Sequence, residues 1–185
     1  MIQRRSENDS SLPIVYSFNT FLYPRLQEKG HSGVKRWTRK VNIFEFDILL
    51  IPIHLGMHWC MAYVDVRKKL IRYLDSLGGS NLQCRLTLIE YLKVSFFLLN
   101  KIENEYFYFQ AEHLNKFGNE LSSDWRHESC SNVIPHQQNS SDCGVFSLKF
   151  ADYLSRDLYP GFTQEKMPRI RKIIQFEILT NNLIC

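Results

Sequence analysis

The chain has 185 residues, 44% of them hydrophobic and 23% charged, with a formal net charge of +4 at pH 7. That length suits one domain with a buried core, and the composition is that of an ordinary globular protein rather than a disordered or fibrous one. No run of about 18 uninterrupted apolar residues predicts a membrane span, the start MIQRRSENDSSLP lacks the apolar segment of a secretory signal, and so modest a charge implies a mild preference for acidic partners and no nucleic-acid surface.

Residues 1–15 read as a frayed or truncated N-terminus, and residues 16–185 as a single domain. Residues 16–40 are expected to be helical in two pieces, broken around Gly30 and Gly33. The stretches DILLIPIH (47–54) and WCMAYVDV (59–66) are rich in Ile, Leu, Val and Tyr and read as strands. LIRYLDS (70–76) alternates apolar and polar residues after the short basic turn RKK, which makes 59–75 an antiparallel hairpin. A helix is expected over 82–93 and another from Cys143. A last one, over about 163–183, carries Met167, Ile170, Ile173, Ile174 and Leu179. Strands in the middle with helices around them give an α+β domain.

The five cysteines, Cys60, Cys84, Cys130, Cys143 and Cys185, are odd in number and widely spaced. Neither a disulfide framework nor a zinc ribbon fits that pattern, so a reducing, intracellular setting follows. Free cysteines are ordinarily buried apolar fillers. Cys143 differs in its surroundings, SSDCGVFSLKFADYL. Ser141 or Asp142 can cap a helix that starts at the cysteine. A thiol there meets the positive end of the helix dipole, which favours the thiolate. Gly144 leaves room beside the sulfur for a substrate backbone. The structural alternative is a plain core cysteine on a buried helix.

A cysteine nucleophile needs a base, and the base an orienting group. Of the six histidines, His54 and His58 flank a tight LGM turn between two predicted strands. In the hairpin, Cys60 would face Asp75 and His58 would face Leu77. His58 and Asp75 then lie diagonally on one face, with ~7–8 Å between their backbones and within side-chain reach. The rival acid, Asp65, points to the other face and lies ~23 Å further along the strand. A slip of one residue would move Asp75 away, so the pairing depends on register. An oxyanion needs donors as well. The backbone N–H of Cys143 is one, and the loop IPHQQNSSDC offers the amide of Gln137 or Gln138.

Together these residues resemble the SUMO-specific (sentrin-specific) cysteine proteases of the ubiquitin-like-protease (Ulp) family. The matching stretches are FLYPRL, VKRWTRKVNIFEFDILLIPIH, MHWCMAYVDVRKKLIRYLDSLG, IPHQQNSSDCGVFSLKFADYLSRD and FTQEKMPRIRKII. They run in family order from about residue 18 to the C-terminus. The order His, Asp, Cys reverses that of papain. The resemblance implies a papain-like core of the Ulp/adenain type, a central mixed sheet flanked by helices with the nucleophile at a helix N-terminus. It assigns the catalytic histidine to His58, the aspartate to Asp75, the nucleophile to Cys143 and the oxyanion amide to Gln137. Trp59 would cover the modifier's Gly-Gly tail, and Leu77 and Ser140 would contact substrate. The implied reaction is hydrolysis after Gly-Gly, both maturing SUMO precursors and releasing SUMO from conjugates. No metal or cofactor is required, and a nuclear monomer is expected. The alternatives are a protease for another ubiquitin-like modifier and a truncated domain that only binds one.

The chain departs from the family in three places. It lacks the usual Trp-Leu-Asn-Asp segment that supplies a further tryptophan to the channel, which implies an incomplete wall and exposed apolar surface. Residues 94–110, VSFFLLNKIENEYFYFQ, have no family counterpart. Val-Ser can be encoded by GTAAGT and Phe-Gln by TTTCAG, splice-donor and splice-acceptor consensus sequences, so the insert reads as a retained intron. Ser140 stands where relatives usually carry glycine. The basic groups at Lys35, Arg36, Arg39, Lys40 and 67–69 could face an acidic modifier or simply be solvated.

Overall fold

The computed structural model describes residues 1–99, 125–130 and 132–184. Its centre is a five-stranded mixed sheet in the order β1-β2-β3-β4-β5. The strands are β1 Val15–Ser17, β2 Ile48–His54, β3 Trp59–Asp65, β4 Leu70–Leu74 and β5 Arg126–Ser129. The inner pairs, β2 with β3 and β3 with β4, are antiparallel, whereas β1 joins β2 and β5 joins β4 in parallel.

The apolar run ILLIPIH of β2 leaves no polar face, so both sides of the sheet must be covered. One side packs Leu49, Ile51, Ile53, Cys60, Ala62, Val64, Ile71 and Tyr73 against helices α2 Leu22–Lys29 and α3 Leu82–Leu99. The other packs Ile48, Leu50, Met61, Tyr63 and Leu74 against α4 Cys143–Leu154 and α5 Met167–Thr180. Phe146 and Phe150 of α4 are fully buried with Phe162 beside them. Removing either ring would cost roughly 3–5 kcal/mol. Leu148, on the outer side of α4, is half exposed. This α+β arrangement is the one expected, and the hairpin register agrees, with Met61 opposite Leu74 and Asp65 opposite Leu70.

Two expectations at the N-terminus are corrected. Helix α1, Ile2–Asn8, stands where frayed chain was expected. Arg5 donates to Asp152 Oδ1 and Ser155 Oγ, both at 2.8 Å, and buried Ser6 accepts the Val15 N–H at 3.2 Å. Those partners lie in distant or following segments that local polarity does not reveal. Residues 15–17, expected partly as helix, form β1 because a parallel edge of β2 is open to them, and Phe18 N–H extends the pairing to Leu50. The helical reading of 16–40 survives as α2, closed by Gly30, whose N–H reaches Leu26 O at a φ of 57°, and then a 3-10 turn, His31–Gly33.

Helix α3 continues beyond the expected end at 93, burying Val94 and setting Phe96 edge-on to Phe44. Residues 100–110 of the proposed insert lie outside the described residues. The last helix begins after a 3-10 turn, Gln164–Lys166, and stops at Asn181, whose left-handed conformation turns its N–H onto Glu177 O and Ile178 O. Phe176, Ile178 and Leu179 remain exposed on it. Arg67 and Lys68 are not free for a partner: both pair with Asp65, and Arg67 also pairs with Asp157. No helix among the described residues is long and apolar enough to cross a membrane.

Candidate active site

The turn between β2 and β3 places His58 at the end of the sheet. Leu55 N–H bonds His58 O at 2.8 Å, and Gly56 takes a φ of 78° that side-chain-bearing residues rarely adopt. His58 then reaches across the hairpin, and its Nε2–H donates to Asp75 Oδ1 at 2.6 Å. Both side chains are largely withdrawn from solvent. The same carboxylate oxygen accepts the Leu77 N–H at 2.8 Å, which fixes the acid's plane. Gly79 is packed against the other oxygen so closely that a Cβ there would stand 2.3 Å from Oδ2. The rival acid, Asp65, is buried at the far end of β3. Burial pushes its carboxyl up, but hydrogen bonds from Arg67 and Lys68 outweigh that and hold it at about 2. It serves the Arg67 network.

Cys143 begins α4 and is 7% exposed. Asp142 occupies the N-cap position without capping through its side chain, which differs from the sequence expectation. Its carboxylate faces sideways instead, accepting from Asn139 Nδ2 at 2.7 Å, Gln164 Nε2 at 2.8 Å and Arg171 Nε at 2.8 Å. Burial alone would raise this carboxyl, but those donors hold it below the ordinary carboxylate range. Arg171 also donates to Ser141 O at 2.8 Å. The segment entering the helix is thus clamped from α5.

Helix α4 packs on the β3 face that carries Met61 and Tyr63. There, the ring of Trp59 lies against the start of the helix. A Cβ built on Gly144 would stand 3.7 Å from Trp59 Cδ1, an ordinary contact distance. The residues preceding that contacting pair are Cys143 and His58. Trp59 is stacked on its cross-strand partner His54 at 4.2 Å between centroids.

Gln137 is buried, while Gln138 is exposed and gives its backbone N–H to Gln164 Oε1. Gln137 Oε1 accepts from Ser76 Oγ at 2.5 Å, its backbone N–H bonds Ser76 O at 2.9 Å, and its Nε2 donates to Asn139 O. The amide has a second N–H to offer. Leu77, 58% exposed, and Ser140, also exposed, lie in the segments that follow Asp75 and precede Cys143. The sequence reading did not anticipate Ser76, Gly79, Asn139, Gln164 or Arg171. Only Asn139 left a signal, since Asn-x-x-Asp ahead of a helix is an Asx-turn pattern, and its Oδ1 accepts the Ser141 and Asp142 N–H groups.

A third donor lies beside the His58–Asp75 pair. Cys60 faces the same way, and one donor atom from each of His58, Cys60 and Asp75 lies within 4.8 Å of the others. Burial pushes the Cys60 thiol up to about 12.

The Ulp1 protease family, C-terminal catalytic domain, matches this chain over residues 1–183. The chain is 43% identical over 185 residues to a sentrin-specific protease of Caenorhabditis elegans, covering 100% of this chain and 24% of that protein. It is 40% identical over 174 residues to sentrin-specific protease 2 of Homo sapiens, covering 93% of this chain and 27% of that protein. The chain therefore spans about a quarter of the length of these relatives. Its fold matches the X-ray structure of the C-terminal Ulp1 protease domain in complex with Smt3, the yeast ortholog of SUMO. The TM-score is 0.69 at 28% identity, over 97% of this chain and 74% of that one.

Proposed function

The chain belongs to the Ulp1 protease family, and we propose on that ground that it is a SUMO-directed cysteine protease acting through Cys143, His58 and Asp75. Cys143 Sγ attacks the carbonyl carbon of the modifier's terminal glycine. His58, oriented by Asp75, holds the nucleophile as thiolate and then protonates the departing lysine amine, leaving a thioester on Cys143. Water, deprotonated by His58, releases the modifier. The Cys143 backbone N–H and the Gln137 amide stabilise the tetrahedral oxyanion. Trp59 lies over the tail, where only glycine at both terminal positions passes beneath an indole, and Leu77 and Ser140 contact the substrate on either side. SUMO precursors and conjugates are the substrates. The protease works as a monomer in the nucleus and requires neither a cofactor nor a metal.

The observation that supports this reading is the convergence of two contacts. His58 is bonded to Asp75 at 2.6 Å, and the neighbouring residue Trp59 touches the turn of helix that begins at Cys143. The test is reaction with SUMO carrying a C-terminal electrophile. A covalent adduct that disappears in Cys143→Ala supports the reading. An adduct formed only with another ubiquitin-like modifier refutes the substrate, and reversible binding without an adduct refutes the enzyme.

A further inference from the structure

Catalysis as proposed uses His58 and Asp75 and leaves Cys60 unused. Cys60 is nevertheless placed by the β3–β4 register on their face of the hairpin, with donor atoms of all three residues within 4.8 Å of one another. A sulfur, an imidazole nitrogen and a carboxylate oxygen are the ligand types that select zinc over calcium or magnesium. Around a tetrahedral Zn²⁺ with bonds of roughly 2.0–2.3 Å, ligand atoms stand about 3.2–3.8 Å apart. The 2.6 Å His58–Asp75 contact must open slightly and the widest separation close by about 1 Å, which side-chain rotation supplies.

An independent observation points to the same place. The buried hydroxyl of Tyr73 stands beside Cys60 and acts on its sulfur as a hydrogen-bond donor, which favours the thiolate. It would remain a donor to a metal-bound thiolate, and such outer donors commonly tune zinc ligands. The Leu77 N–H already holds the carboxylate in place. His58, partly exposed, gives the ion its way in.

We propose that His58 Nε2, Cys60 Sγ and Asp75 form a Zn²⁺ site whose occupation switches the protease off. Zn²⁺ displaces the Cys60 thiol proton to solvent and takes the place of the Nε2 proton, which moves to Nδ1 when the ring is neutral and leaves to solvent when it is an imidazolium. A water fills the fourth position. No electron is transferred. The imidazole, bound through Nε2, then holds its proton on Nδ1 and can no longer pass a proton between Cys143 and the leaving amine. The metal thus acts from behind the ring, leaving the nucleophile itself uncoordinated. The inhibitory consequence rests on the proposed roles of His58 and Asp75, whereas the site does not.

Reduced, metal-free Cys143→Ser protein titrated with Co²⁺ tests the site without any need for activity. One equivalent should bind with a thiolate-to-cobalt charge-transfer band, and Zn²⁺ should displace it. Adding Cys60→Ser should abolish the band. Adding Asp75→Asn should weaken binding by tenfold or more with Cys60 still in place, and this decides the matter if the Cys60 variant does not fold. Absence of the band in Cys143→Ser, or its survival in the Cys60→Ser variant, overturns the site. With Cys143 restored and a SUMO–fluorophore substrate, Cys60→Ser should raise the half-inhibitory Zn²⁺ concentration at least tenfold. Equal inhibition of both proteins would place the ion on Cys143 and overturn the switch.

Discussion

Gly79→Ala perturbs the proposed base through a single methyl group. Gly79 does not have a left-handed φ, so alanine meets no backbone penalty there. The obstacle is steric: the new Cβ would stand 2.3 Å from Asp75 Oδ2 and 3.3 Å from its Cγ, against the 3.4 Å at which ordinary contact begins. Oδ1 is meanwhile tied to the Leu77 N–H at 2.8 Å and to His58 at 2.6 Å. The carboxylate must therefore swing by about 1 Å, carrying the imidazole with it or losing it, and a misplacement of that size costs on the order of 10²-fold in rate. That corresponds to about 2.7 kcal/mol of barrier. Steady-state cleavage of a SUMO–fluorophore should show the loss in kcat with KM little changed, because the methyl group reaches the acid and not the tail-binding surface. A double-mutant cycle with Asp75→Ala isolates the cause. If the methyl acts through Asp75, Gly79→Ala has no further effect once the carboxylate is gone. Additive losses would refute the argument.

Three other outcomes follow from the same geometry. Asp65 has a folded-state pKa depressed to about 2, below the ordinary aspartate range, so its stabilisation, about 2 kcal/mol, is present above the unfolded value and lost as pH falls toward 2. Asp65→Asn should lower urea stability by about that amount at pH 7 and flatten the acid limb, and an unchanged limb would disprove the assignment. Gln137→Ala should reduce kcat by about 10²–10³-fold while leaving formation of the hairpin intact by circular dichroism; a change confined to KM would count against an oxyanion role. Arg171→Ala removes a donor that holds Asp142 below the ordinary carboxylate range. Probe labelling of Cys143 should then fail at higher pH on acidification than in the wild type, and identical pH profiles would show the clamp to be idle.

The hairpin was readable because its information is local. Alternation in LIRYL, a basic turn and an apolar β3 suffice to set Met61 against Leu74, and from that register the His58–Asp75 diagonal follows. The end of α5 was harder to place, because apolar residues continue to Leu183 while Asn181 turns the backbone out of the helix. Strand β1 was not readable at all. A three-residue strand has no periodicity of its own, and its identity depends on β2, which lies beyond α2 in the chain. Helix α1 is similar, since Arg5 finds Asp152 across 147 residues. The choice between Gln137 and Gln138 needed family likeness for the same reason: what separates them is burial against Ser76, a residue 61 positions away.

Those long-range bonds also explain how two separate segments can form one site. Asp75 leads directly to Ser76, which binds Gln137 through both backbone and side chain. Gln137 reaches Asn139, Asn139 holds Asp142, and Asp142 is fastened to Gln164 and Arg171. Each neutral bond contributes only about 1 kcal/mol, too little to decide whether the domain folds. In series, however, they remove the freedom of the loop that delivers Cys143 relative to the strand end that delivers His58. The sheet brings the two segments to the same edge by burying apolar surface on both faces. The polar chain then limits how far the segment carrying Cys143 can shift relative to the strand end carrying His58. Stability and alignment are therefore carried by different residues, so substitutions along Ser76, Gln137, Asn139 and Asp142 should separate the two properties where core substitutions would not.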